Sequence, residues 1–129
     1  MMNYKLLFDK IHCNFGISLD EGKAMGMYDA QDCLDENAGI ERRHAARIFH
    51  MLMLRACDIS DIDDISQAGE LLDLYDCRVC VIHIAQVYLR GIMKARLERI
   101  FDGRAFITAE EVECAIDGIV KIKSDVLSK

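Results

Sequence analysis

The sequence predicts an all-α fold, and three observations carry that expectation. Apolar residues recur at helical spacing along most of the chain, two capping boxes mark helix starts, and no proline interrupts the pattern. At 129 residues, 52% apolar and 29% charged, the chain has the size and balance of one globular domain that folds unaided.

Leu6, Leu7, Ile11 and Phe15 predict a first amphipathic helix ending near Gly16. Ser18 with Glu21 is a capping box: the hydroxyl accepts from a first-turn N–H and the carboxylate turns back to the cap. It starts a short helix that runs out near Gly26. Residues 27–39, with Asp29, Asp32, Asp35, Asn37 and Gly39, read as loop. Helix resumes at Glu41 and continues to about Cys57. Its second half, "IFHMLMLRAC", is apolar on nearly every side, so other elements must surround it. "DISDIDDIS", residues 58–66, reads as a turn-rich connector. Ser66 is placed to cap a helix through Leu71, Leu72 and Tyr75, and "VCVIHIAQVYLRGIM" follows as a long apolar helix with Gly91 near its end. After a second loop, residues 94–106, Thr108 and Glu111 form the second capping box. It opens a last helix along Val112, Ala115, Ile116, Ile119 and Val120, about the sixth in the chain.

The chain also repeats itself. At one constant offset Leu34 aligns with Phe101, Asp35 with Asp102, Ile40 with Ile107, Ala45 with Val112, Phe49 with Ile116 and Met53 with Val120. "GMYD" at 26–29 answers "GIMK" at 91–94, so each copy runs helix, glycine, polar loop, isoleucine, helix. Neither copy can bury its apolar face alone, which predicts two units on one shared core.

"DISDIDDIS", "YLRGIM" and "RIFDGRAFITAEEVECAI" supply, in order, the parts of a known repeat, and "GMYDAQDCLDENAGIERRHAARIF" supplies its later half. In these parts the chain resembles the S-layer homology (SLH) domain, with residues 18–57 as a first, partial unit and 58–123 as a second within a single domain, 1–129. The resemblance implies a non-catalytic binding module that anchors to anionic bacterial cell-wall polysaccharide. Arg42 falls on the arginine of the family's motif in the first copy, and Thr108 and Glu111 on its threonine and glutamate in the second. With Arg43 these are the candidate ligand-binding residues. Glu41 and His44 replace the capping pair in the first copy, and Ala109 replaces the arginine in the second. The alternative is an intracellular interaction or assembly protein that has lost glycan binding, with helices 44–56 and 78–93 forming a homodimer.

The remaining chemistry is sparse. Six cysteines are too few for a disulfide-stapled secreted domain, and reduced, buried thiols are the expected state. "CRVCVIH" spaces Cys77, Cys80 and His83 by threes, a set open to structural burial, to zinc or to redox chemistry with Cys77 at a helix N-terminus. No second Cys-x-x-Cys or histidine pair completes a four-ligand zinc site, so no cofactor is expected. An EF-hand loop counted with Ile40 or Ile107 as position eight begins at Cys33 or Ile100 and ends at His44 or Glu111, and neither loop carries the required acids. His12, His44, His50 and His83 show no triad spacing, and an enzyme is not expected. A net charge of −6 argues against nucleic acid, and no apolar run is long enough for a membrane span. Without a signal peptide the chain reads as cytoplasmic; as part of a longer exported protein it would sit at the cell wall.

Overall fold

A computed structural model describes residues 1–33 and 35–127, so the alignment of Leu34 with Phe101 lies outside the described residues. The chain is all-α. Five α-helices, Tyr4–Phe15 (α1), Leu19–Ala24 (α2), Arg42–Met51 (α3), Val81–Leu89 (α4) and Ala109–Leu127 (α5), are joined by loops and short 3₁₀ turns, with no strand among the described residues.

Most starts and stops lie where the residues place them. Asn3 caps α1 by accepting from the Leu6 N–H at 2.8 Å. Gly16 closes the helix in the left-handed region at φ 73°, a conformation that strains any residue with a Cβ. Both capping boxes form: Ser18 and Glu21 exchange bonds at 3.1 and 3.2 Å, Thr108 and Glu111 at 3.0 and 3.1 Å. Three expectations change. Leu6 is solvent-exposed, and Tyr4, Leu7, Phe8 and Ile11 form the buried face of α1. The helix begun at Arg42 widens into a π-turn over Leu52–Ala56, with the Cys57 N–H reaching the Leu52 carbonyl at 3.1 Å. Between Ser66 and Cys80 only 3₁₀ turns form, at Ser66–Glu70, Leu74–Asp76 and Arg78–Cys80, so the long apolar helix is cut to α4. Ser66 caps nothing; its own N–H is held by Asp64.

The loops before α3 and α5 meet at Ile40 and Ile107. The Ile107 N–H donates to the Ile40 carbonyl at 2.9 Å, and Arg42 and Arg43 N–H groups donate to the Ala105 and Gly103 carbonyls, each at 2.8 Å. The start of α3 is thus tied to the loop before α5, and its orphan N–H groups are satisfied across the molecule rather than by a side-chain cap. Behind this junction lies one core, in which α3 packs on α4 with Ile48, Phe49, Leu52, Ile84 and Val87 buried beside Ile107, Val112, Ile116 and Ile119. α1 closes the core against α5 and pairs with the first loop through Lys5 N–H and the Glu36 carbonyl at 2.8 Å. Gln86, buried on α4, clamps the acidic connector by exchanging two 2.9 Å bonds with the backbone of Ile62.

Candidate functional site

The residues assigned by repeat position to ligand binding come together, but around each other. Arg42, at the first position of α3, is 1% exposed. Its Nε donates to the Phe101 carbonyl at 3.1 Å, one terminal nitrogen donates to the Lys94 carbonyl and the other pairs with Glu111. The Phe101 ring lies 4.7 Å from the guanidinium carbon. Burial, and the nearby Arg96, pull the Arg42 pKa down to about 10, so the charge survives at neutral pH. Glu111 accepts from Arg42, from Arg96 at 2.6 Å and from the Thr108 N–H, which makes it the node that ties the start of α3 to the start of α5.

Arg96 completes that node in an unexpected way. With Ile107 counted as position eight, Asp102, the Phe106 carbonyl and Glu111 stand at positions three, seven and twelve of a calcium loop. Arg96 donates to the Phe106 carbonyl and to Glu111, each at 2.6 Å, and its other terminal nitrogen lies 3.7 Å from Asp102. A guanidinium of the chain itself therefore fills the place a calcium ion would need, and the residues do not fit the metal.

Arg43 is half-buried, paired with Glu41 at 3.2 Å, and lines two clefts. One, about 120 Å³, also carries Asp73, Asp76, Asp102 and Arg104, and falls below the about 300–1,000 Å³ of small-molecule sites. The other, about 590 Å³, runs past Asp29, Asp32, His44 and Arg47 to Cys77, Cys80 and His83. Its cations are already engaged: Arg47 bonds the Gly26 carbonyl at 3.0 Å and both Asp29 and Asp32 at 3.3 Å.

The cysteines depart from the expected reduced, buried state. Cys77 and Cys80 form a disulfide, Cys13 and Cys114 are exposed, Cys33 is partly exposed and Cys57 is buried. A disulfide leaves neither sulfur a thiolate for zinc. His83 turns from them to His50, with Nδ1 to Nδ1 at 2.8 Å, and His50 Nε2 meets Asp61 at 2.7 Å. One His–His nitrogen must donate and the other accept, so the rings cannot both be charged. Burial first, and His50 second, lower the His83 pKa to about 4. Among the described residues no three His, Cys, Asp or Glu side chains converge to hold a metal.

The disulfide lies within an exposed apolar stretch. Val79, between the two cysteines, is 84% exposed, Tyr75 is 71% exposed, and Leu72 and Ile82 are exposed beside them in sequence. Sequence periodicity places this stretch inside an apolar helix and so hides it; the signal available was that Leu72, Tyr75, Val79 and Ile82 recur at helical spacing apart from the buried set Leu71, Leu74 and Ile84. Of the helices named for the alternative homodimer, 44–56 and 78–93, α3 packs on α4 within the chain, and Val79 and Ile82 stay exposed.

No family model, curated protein or solved structure matches the chain.

Proposed function

We propose that the chain is a helical interaction module whose partner is protein rather than anionic glycan. The observation that carries this reading is the placement of Arg42: the arginine that the SLH resemblance assigns to the glycan is 1% exposed, with each of its nitrogens engaged inside the molecule. Thr108 and Glu111 are likewise occupied, by the capping box and by two arginines. Thr108 borders a cleft of about 450 Å³ whose lining, Met1, Met2, Leu6, Phe106, Ile107 and Ala109, offers an anion no Arg or Lys side chain. Arg43 faces the one of about 590 Å³, where it is paired with Glu41 and accompanied by Asp29 and Asp32. An anionic polymer would meet a wall already neutralised. What the surface offers instead is Leu72, Tyr75, Val79 and Ile82, apolar side chains whose burial by a partner is favourable at about 25 cal/mol per Å².

The deciding experiment sets co-sedimentation with an anionic wall polysaccharide beside two protein readouts: self-association by sedimentation velocity, and anisotropy of a carboxymethylated, unfolded polypeptide. Protein association weakened by combined Tyr75→Glu and Val79→Glu is expected, with no polymer binding by wild type. Polymer binding lost in Arg43→Ala would overturn the reading.

A further inference from the structure

We propose that the Cys77–Cys80 disulfide is a thiol–disulfide exchange centre whose substrate is a thiol carried by the partner polypeptide. The identity of that carrier rests on the protein-contact reading above; the exchange chemistry does not.

Three observations point to exchange rather than to a structural staple. First, the bond adds less constraint than a disulfide closing a longer loop would. It closes the smallest useful loop, Cys-x-x-Cys, and the 3₁₀ turn that spans it already ties the Cys80 N–H to the Cys77 carbonyl at 3.0 Å. A disulfide stabilises chiefly by removing loop entropy from the unfolded chain, and that contribution is least for so short a loop. Four other cysteines stay free, so the chain is not a general disulfide framework. Second, the two sulfurs differ in the sense that directional exchange requires. Cys77 is half-buried between exposed Asp76 and Arg78, whereas Cys80 is 6% exposed and packs with the core cluster. Cys77 lies just before the 3₁₀ turn Arg78–Cys80, which runs on into α4, so a thiolate there faces the positive end of a helix. Third, the surroundings suit a polypeptide. Both cysteines and the exposed Val79 between them line the cleft of about 590 Å³, and Tyr75 and Ile82 are exposed close by in the sequence.

The step balances as follows. A partner thiolate attacks Cys77 Sγ, the Cys77–Cys80 bond breaks, and its electron pair leaves on Cys80 Sγ, which is protonated to the thiol. A second partner thiol, as thiolate, attacks the partner sulfur of the mixed disulfide and expels Cys77 as a thiolate, which takes up the second proton. The partner dithiol is oxidised to a disulfide and the Cys77–Cys80 pair is reduced to a dithiol, with two electrons and two protons transferred.

The test equilibrates the full chain in buffers of reduced and oxidised glutathione, quenches by alkylation and reads the peptide containing Cys77 and Cys80 by mass spectrometry. A graded shift from disulfide to dithiol as reduced glutathione rises is expected. A pair that stays wholly oxidised or wholly reduced at every ratio overturns the proposal. In Cys80→Ser, Cys77 should form a mixed disulfide with oxidised glutathione, and should alkylate at least about tenfold faster than Cys80 in Cys77→Ser. Equal rates would overturn Cys77 as the attacked sulfur. Combined Tyr75→Ser and Val79→Ser, which place no charge beside the sulfurs, should slow oxidation of a reduced, unfolded polypeptide at least about tenfold more than they slow exchange with glutathione. Wild-type rates toward both would remove the polypeptide as substrate while exchange stands. Absence of exchange with glutathione, in a chain that still binds the carboxymethylated polypeptide, would remove the redox centre and leave the contact reading intact.

Discussion

Arg42 and Arg43 are neighbours of one type with opposite fates, and the difference is measurable. Arg42 is buried, so Arg42→Ala leaves the Phe101 and Lys94 carbonyls without their donor while Glu111 keeps Arg96, and should lower unfolding free energy by about 2–5 kcal/mol in urea titrations. Arg43→Ala removes a half-exposed pair with Glu41 and should cost no more than about 1 kcal/mol. His83 gives the acid limb of stability. Its folded pKa of about 4 lies below the ordinary value of 6.5, so between these the unfolded chain binds more protons than the folded one. Stability from this group is therefore complete above pH 6.5 and falls as pH drops toward 4, by up to roughly 3 kcal/mol. Urea midpoints for wild type and His83→Gln from pH 7 to 4 check this: the wild-type slope should be the steeper.

At the scale of elements, the helix starts show how one rule is met in two ways. α5 opens on its own capping box, and Thr108→Ala should lower stability by about 0.5–2 kcal/mol. α3 opens at Glu41 with no side-chain cap at all, because Arg42 and Arg43 donate to the opposite loop. α2 carries a glycine, Gly22, in its interior, where propensity alone favours alanine by about 1 kcal/mol. A Cβ there would run into the ring of Phe8, which is 3% exposed and cannot swing to solvent. Gly22→Ala is accordingly expected to destabilise by about 1–2 kcal/mol, against its helix propensity, in thermal unfolding. A rise in midpoint would show that the α1–α2 contact yields.

For the whole molecule, the junction of α3 with the loop before α5 is held by charges of the chain itself. Arg96 spans the Phe106 carbonyl, Glu111 and Asp102, and Asp73 accepts the N–H groups of Phe101 and Asp102 at 2.9 and 2.8 Å, fixing the second loop from behind. Millimolar calcium or a chelator should therefore leave the thermal midpoint unchanged to within about 1 °C, since a ligand that binds neither state shifts no equilibrium. Arg96→Ala should loosen the loop, seen as faster amide exchange over residues 94–107, while α1 stays protected.

The sequence by itself determined the all-α class, the two capping boxes and the loops around Ile40 and Ile107, because capping, glycine termination and amphipathic periodicity act within a few residues. Local pattern misread the stretch from Ser66 to Cys80, where apolar spacing promised helix. There Asp73 turns its carboxylate to Phe101 and Asp102, and the chain follows it in 3₁₀ turns. Only the tertiary structure decided the fate of charge and sulfur. Whether Arg42 faces solvent depends on Glu111 and Phe101, far along the chain, and whether Cys77 meets Cys80 depends on the turn that replaces a helix between them. Burial and long-range pairing are properties of the packed chain, so a motif position can name the arginine but not what it holds.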